Sequence, residues 1–495
     1  MPVECKAKIE LDGFRYLGIE IVLDPEKFFH LNLQPPLLRL RRDAAHWKNL
    51  PLSLLGRAAL FKMMTLPRLL YVLQNTPYWV PMSYFKAVNS EVRTLLWNGG
   101  ANRIALTKLH NSWYEGGIAL PNVQYYYWAA HLVAINGWAF SPQEEPAYRV
   151  DRMLMQPRGY NSKLYNTPDN KLTGPTKVTI TIWHEVLKTL GWADILTLDT
   201  PLWDSRILGN LITRQGFKNW DLLGISQVKD VISNGKVKAW EELKQEYQLA
   251  STEIFRFLQV RSSLKKAIQA DKEIPEMSPL ECRLLGEPMP KKAISMTYQK
   301  LLRSTPDQFQ KLRRKWEENI QEFEDEEWQE ALMAPREVAI RAGFRLIQVK
   351  ILHRIYYAPT TLMHMGKTGT NLCRRKCGQV GTFFHVIWEC PRIQEYWESV
   401  TQCLNEVVDY EEPRSVKLCI LNIWDATNQN RAQKLFYALG LMIAKRNIAK
   451  NWGAEGVPHL GEWKKDLDWC MITEKVIYEG RGCFKKWAKI WGEWN

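Results

Sequence analysis

Nothing in this sequence reads as a membrane span. The longest apolar stretch, Tyr125 to Phe140, is interrupted by His131, Asn136 and Gly137 and is too short and too polar to cross a bilayer. No secretory leader is expected either, since Met1-Pro-Val-Glu-Cys-Lys opens without an apolar run. No low-complexity tract and no internal repeat is found, which sets aside disordered arrays and solenoids. The cysteine count argues against a disulfide framework and for a reducing compartment. The nine cysteines (Cys5, Cys282, Cys373, Cys377, Cys390, Cys403, Cys419, Cys470 and Cys483) are odd in number. Together these absences predict an intracellular protein, in nucleus or cytoplasm, with no membrane partner.

What is present is a folded composition, 46% hydrophobic and 24% charged. At 495 residues the chain exceeds one compact core, and length suggests roughly three domains. Lys and Arg number 67 against 53 Asp and Glu, a net charge of +14. A polyanion is the usual partner of such a surplus, because each phosphate contact releases counterions; the plain alternative is solubility charge. Tryptophan is abundant, with 22 copies. Core packing accounts for most of them, and stacking on bases is their other use.

Along the chain, residues 12–24 read as a strand built on Phe14-Arg-Tyr16-Leu-Gly18-Ile-Glu-Ile21. The next hundred residues offer it no strand partner, so the sequence reads as cut from something larger. Residues 36–140 read as helices. Apolar spacing marks Leu52 to Leu73, with Ser53 at its start and a break at Pro67, and Tyr84 to Trp97, closed by Asn98-Gly99-Gly100. Tyr125 to Trp138 reads as a buried helix. Residues 141–170 read as an irregular linker, and 176–300 as helices with short hairpins near Gly216 and Gly235. Helices dominate again from 297 to 357, where Arg336 to Tyr357 looks like one long amphipathic segment, and in 392–409, 430–452 and 461–495. The predicted class is mainly α and multi-domain, with a short N-terminal strand or hairpin and a small Cys/His segment.

That segment carries the chemistry. Cys373, Cys377, His385 and Cys390 are spaced C-x3-C-x7-H-x4-C. Three thiolates and an imidazole make a closed tetrahedral Zn²⁺ set, structural because no coordination position stays open. The alternative is a buried cluster of small apolar thiols with a satisfied histidine. Arg374, Arg375 and Lys376 fill the first gap and read either as a phosphate contact or as a solvated face.

The run Cys373-Arg-Arg-Lys-Cys377-Gly-Gln-Val-Gly-Thr-Phe-Phe-His385-Val-Ile-Trp-Glu-Cys390-Pro resembles the C-terminal Cys/His motif of long-interspersed-element (non-LTR retrotransposon) reverse transcriptases. Arg345-Leu-Ile-Gln-Val-Lys-Ile-Leu-His353-Arg-Ile-Tyr-Tyr-Ala-Pro resembles the helix before it. At the other end, Phe14-Arg-Tyr-Leu-Gly-Ile is similar to the last palm strand of those polymerases, and Trp47-Lys-Asn-Leu-Pro-Leu-Ser-Leu-Leu-Gly56-Arg57 to the thumb that follows. Trp97-Asn-Gly, Arg103-Ile-Ala-Leu and Gly116-Gly-Ile-Ala-Leu-Pro-Asn fit in order, so the likeness runs over essentially the whole chain.

The resemblance implies a palm remnant at 1–24, a thumb-like helical domain at 25–140, a connecting wrist-like region at 141–300 and a C-terminal helical domain at 301–495 with the Cys/His motif at 373–390. It implies RNA or an RNA–DNA duplex as partner. A departure from the pattern matters as much. Two-metal nucleotidyl transfer needs paired palm aspartates, and the chain holds no Asp-Asp dipeptide. A binding piece with no activity of its own and no Mg²⁺ site is therefore expected. The alternatives are a subunit completed in trans by a related palm, and a helical interaction scaffold.

A thumb grips the duplex backbone with cations. The candidates are Arg39, Arg41 and Arg42 first, then Arg57 and Lys62, with Arg68, Arg93 and Arg103 behind them. Arg341/Arg345 and Lys350/Arg354 are two i,i+4 pairs that a continuous helix turns to opposite sides, one of them packing against acids in 324–327.

Overall fold

A computed structural model describes residues 13–156, 159–165, 172–209, 212–268, 273–290, 292–304, 310–424 and 430–494. Among them the fold is mainly helical, as expected, and its strands are confined to two antiparallel hairpins. Packing divides the chain into two compact units, one drawn from residues 1–40, 65–89 and 122–306, the other from 41–64, 90–121 and 307–495. The stretch 25–140, read as one thumb-like domain, is thus shared between the units, and 141–300 belongs to the first.

In the first unit the expected N-terminal strand is a hairpin, Phe14–Tyr16 against Ile19–Ile21. Leu17 and Gly18 turn it with φ of 46° and 84°, the positive values that two-residue hairpin turns require. No further strand is needed, because a side-chain amide takes the edge. Asn32 Nδ2 donates to the Glu20 carbonyl at 2.9 Å and its Oδ1 accepts the Glu20 N–H at 2.8 Å.

The unit's central helix is Val123–Phe140, apolar nearly all round and therefore enclosed. Helices Leu66–Gln74, Pro146–Leu154, Gly174–Thr189, Pro279–Leu285 and Ala293–Ser304 surround it. The three residues that spoil it as a membrane span each serve packing. His131 shares a hydrogen bond with the Thr179 hydroxyl. Asn136 donates to the carbonyls of Leu284 and Glu287 and accepts from the Met289 N–H. At Gly137 a Cβ would lie 2.1 Å from the Tyr148 ring.

The expected linker at 141–170 instead holds helices Pro146–Leu154 and Gly159–Tyr165. Its Arg152 donates to the carbonyls of Gly137, Trp138, Ser141 and Pro142, satisfying the orphan acceptors at the central helix's end. A second core lies within 196–268 and packs Trp203, Phe217 and Trp220 together. There the Gly235 hairpin forms, Ile232–Ser233 with Lys236–Val237, whereas Gly216 lies in a turn leading into the helix Lys218–Leu222.

The segment Leu52 to Leu73, expected as one helix broken at Pro67, is Leu54–Leu60, a π turn at Phe61–Thr65, and Leu66–Gln74. Ser53 caps the first of these by accepting the Gly56 N–H. Pro67 sits in the first turn of the second, where its missing N–H is harmless.

The second unit packs helices Asp325–Glu337, Ala342–Leu352, Pro391–Val408, Arg431–Lys450, Leu460–Gly480 and Phe484–Trp491 around one core. Trp316, Trp397, Trp463 and Trp491 are fully buried in it. Their indole N–H groups donate to the Leu352, Ile387 and Gly440 carbonyls and to Glu474 Oε2, so burial leaves none of these donors orphaned. Core packing is thus where these tryptophans go.

The long segment expected from Arg336 to Tyr357 is interrupted between Glu337 and Ala342 and ends at Leu352. Arg354 lies beyond its end with φ 50° and stacks on Trp316, 4.1 Å from guanidinium carbon to ring centroid. The acidic run at 324–327 takes other cations, Arg313 on Asp325 and Lys417 on Glu327. Among the described residues no helix is long and apolar enough to cross a membrane.

Candidate metal centre

The Cys/His segment is built from two tight turns. The first runs through 371–381. Gly381 N–H donates to the Asn371 carbonyl, Cys373 N–H to Gln379, and Lys376 N–H back to Cys373. Lys376 and Gly378 take φ of 58° and 81°, which curls the chain so that Cys373 and Cys377 face the same way. At Gly381 a Cβ would lie 2.7 Å from Pro359, so the turn closes only with glycine there.

The second turn carries His385 and Cys390. Thr382 caps it, its hydroxyl accepting the His385 N–H at 2.9 Å. Residues His385–Glu389 form a π turn closed by the Cys390 N–H on the His385 carbonyl at 3.0 Å. An i→i+5 turn stacks residues five apart, and that is the spacing of His385 and Cys390. A regular helix, Pro391–Val408, begins just after them, with Cys390 as its N-cap.

The four ligand atoms lie within 4.8 Å of one another, with Cys373 Sγ 4.0 Å from Cys390 Sγ and Cys377 Sγ 3.2 Å from His385 Nε2. A tetrahedral ion bound at about 2.3 Å to sulfur needs sulfur–sulfur edges of about 3.8 Å, so shifts of up to about 1 Å close the cage. Cys373, His385 and Cys390 are buried and Cys377 is half-buried. Trp397 Nε1 on the Ile387 carbonyl and Arg375 Nη1 on the Val386 carbonyl, at 3.0 and 2.7 Å, hold the π turn from outside.

Protonation favours a metal as well. Burial pushes the Cys373 thiol up to about 11, and Cys390 and Cys377 add to the rise while the Arg375 backbone N–H opposes it. At Cys377 burial also pushes upward, but hydrogen bonds from the Gln379 backbone and from its thiol neighbours outweigh it, and the net shift is downward. Burial lowers His385, Glu389 opposes the shift and the Arg375 guanidinium adds to it. A cation bound among these residues would drive the thiols to thiolate. These four residues can hold a metal ion, and soft sulfur donors with imidazole are compatible with structural zinc.

The candidate cations differ in exposure. Arg374 and Lys376 face solvent; Arg374 donates to the Gly453 carbonyl and Lys376 pairs with Glu455 at 2.5 Å. Arg375 does not join them at the loop tip. It is 2% exposed, and its Nε and Nη2 find no acceptor among the described residues. Arg39, Arg41 and Arg42 are exposed on the helix Gln34–Trp47, and Arg41 bonds Glu91 at 2.8 Å. Arg57 is buried, which removes it as a solvated backbone contact, and Lys62 is half-buried against the Ile118 carbonyl. The reading of Arg57 and Arg375 as surface contacts fails for one reason: neighbouring residues in sequence do not show which side of a turn meets the core.

Two groups escaped the sequence reading. Lys445 is fully buried in the helix Arg431–Lys450 while the adjacent Arg446 is half-buried, and a Lys-Arg dipeptide gives no sign of which cation faces the core. Arg336, Arg345 and Arg481 line one small cavity although the last is far from the others in sequence, so no spacing could reveal them. No protein-family model matches the chain.

Proposed function

We propose that this chain is a nucleic-acid-binding piece of a non-LTR retrotransposon-type reverse transcriptase, stabilised by a structural zinc at Cys373, Cys377, His385 and Cys390. The observation that carries the reading is the convergence of those four ligand atoms to within 4.8 Å in the segment that bears the resemblance. Zinc there would tie the 371–381 turn to the Pro391–Val408 helix and leave the solvent-facing cations Arg374 and Lys376 beside the knuckle. The Lys376–Glu455 pair is about two-thirds exposed at both ends. Such a pair is worth little, about 0–1 kcal/mol, and a phosphate can take its place. Arg39 and Arg42, three apart on one helix, offer a second backbone contact. The net charge of +14 supports a polyanionic partner, RNA or an RNA–DNA duplex, in nucleus or cytoplasm. With no Asp-Asp pair, the proposed role is gripping nucleic acid and not nucleotidyl transfer.

A helical scaffold is the second reading, and the burial of Arg57 and Arg375 favours it by removing two cations from the surface. Two measurements on the full chain separate the readings. Elemental analysis is expected to return one zinc per chain, lost in Cys377→Ser and His385→Ala; protein without stoichiometric zinc refutes the metal assignment. Filter binding to single-stranded RNA is expected to weaken steeply with salt, by about 0.7 log units per decade of salt for each phosphate contact. Salt-independent binding selects the scaffold. An unchanged curve for the Arg374→Gln, Lys376→Gln double variant takes the knuckle out of the nucleic-acid site.

A further inference from the structure

A cavity of about 210 Å³ in the second unit is ringed by cations from four separate helices. Arg336 comes from the last turn of Asp325–Glu337 and Arg345 from Ala342–Leu352. Arg481 is the C-cap of Leu460–Gly480, and Lys486 lies in Phe484–Trp491. Two carboxyl groups, Glu337 and Glu474, also line it. Neither of them forms an ion pair with the four cations among the described residues. Burial and then the guanidiniums of Arg336 and Arg481 act against the charge on Arg345, so the three arginines repel one another across the space. Like charges brought together by folding destabilise the site unless an anion sits among them.

Glu474 completes the arrangement. It is 1% exposed; its Oε2 accepts the Trp491 indole N–H, and its Oε1 has no partner among the described residues. Burial pushes its pKa up to about 7, so near neutrality it is available as an acid that donates a hydrogen bond instead of an anion that repels one. At about 30 Å³ per water, the cavity has room for a tetrahedral oxyanion and several waters. Planar guanidiniums match phosphate oxygens in a two-pronged geometry that a lysine ammonium does not.

We propose that this cavity is a phosphate-binding pocket in which Arg336, Arg345 and Arg481 clasp the oxyanion and the Glu474 carboxylic acid donates to one of its oxygens. The ligand is a phosphate group, either free orthophosphate or the terminal phosphate of a nucleic-acid strand, and the pocket does not depend on the zinc or the RNA reading.

The test uses the full chain, with calorimetric titration of orthophosphate and, separately, of a short RNA carrying either a 5′-phosphate or a 5′-hydroxyl. Saturable orthophosphate binding is expected, weakened about tenfold or more by Arg481→Gln and by Arg345→Gln. Lys236→Gln, on a hairpin of the first unit that does not line the cavity, should leave it unaltered. Arg481 is an exposed helix cap, so that variant should keep the far-ultraviolet circular dichroism of the parent, and Arg345→Gln supplies an independent second reading. If the 5′-phosphorylated RNA outcompetes the 5′-hydroxyl RNA and Arg481→Gln abolishes the difference, the pocket takes strand ends. Equal RNA binding with orthophosphate binding intact assigns it to free phosphate. No saturable orthophosphate binding, or binding that both arginine variants leave unchanged, overturns the proposal.

Discussion

Lys445 allows the core of the second unit to be tested through pH alone. Its amine is wholly buried, donating to the Ile420 carbonyl at 3.1 Å and to Asn422 Oδ1, with the Cys419 thiol nearby. Burial lowers its pKa from 10.5 to about 7, and it pushes Cys419 up to about 12, so that thiol stays neutral over the working range. The sign follows from proton counts. Below pH 7 folded and unfolded chains both carry the ammonium, and the full burial penalty opposes folding. Between about 7 and 10.5 the unfolded chain alone binds the proton, so stability rises with pH, by about 1.36 kcal/mol per pH unit. Lys445→Met removes this dependence. It also leaves Asn422 Oδ1 without its donor, a loss of about 1–3 kcal/mol, while the Ile420 carbonyl keeps Gln348 Nε2 at 2.9 Å. The absolute stability of the variant near neutrality is therefore a balance, and the slope is the decisive quantity. Urea unfolding of both proteins from pH 7.5 to 9.5 should show the parent gaining roughly 2.5 kcal/mol relative to Lys445→Met. Groups common to both proteins cancel in that difference. Parallel curves would refute the account.

Asn136→Ala in the central helix of the first unit removes two donated hydrogen bonds and orphans the Met289 N–H, at a site 6% exposed. A loss of about 3 kcal/mol in urea or thermal unfolding is expected, and a change under 1 kcal/mol would contradict it. Gly440→Ala tests close helix packing in the second unit: a Cβ there would meet Leu404 Cδ2 at 2.6 Å and the Trp463 ring at 3.3 Å. Helix propensity alone favours alanine by about 1 kcal/mol, whereas overpacking opposes it by about 1–3 kcal/mol. The prediction is net destabilisation, and a variant as stable as the parent would show that Leu404 has room to move.

Much of this architecture was open to inspection in the chain itself. Periodicity marked the helices Met82–Trp97, Val123–Phe140, Pro391–Val408 and Arg431–Lys450 to within a few residues, because each buries an apolar face or is enclosed all round. Ser53 and Pro67 signalled local backbone chemistry, and both act where they were read. The four clustered cysteine and histidine residues were legible from spacing, since a set brought together by two adjacent turns is nearly a local property. Less visible was anything a neighbour decides. The helices Pro146–Leu154 and Gly159–Tyr165 looked like linker because 141–170 is rich in Pro, Tyr and Asn, and Tyr148, Asp151 and Arg152 secure the first of them to the central helix.

Sequence by itself therefore settled the helical class, the approximate places of the longer helices and the identity of the cluster, all of which depend on residues within a turn or two of one another. Tertiary structure alone decided the rest. It chose a π turn over an α turn at His385, sent Arg375 and Arg57 inward, enclosed the amine of Lys445 and gathered Arg336, Arg345 and Arg481 around one cavity. The physical reason is common to all of these: burial and long-range charge depend on which distant segment arrives opposite a side chain, and local spacing carries no record of that arrival.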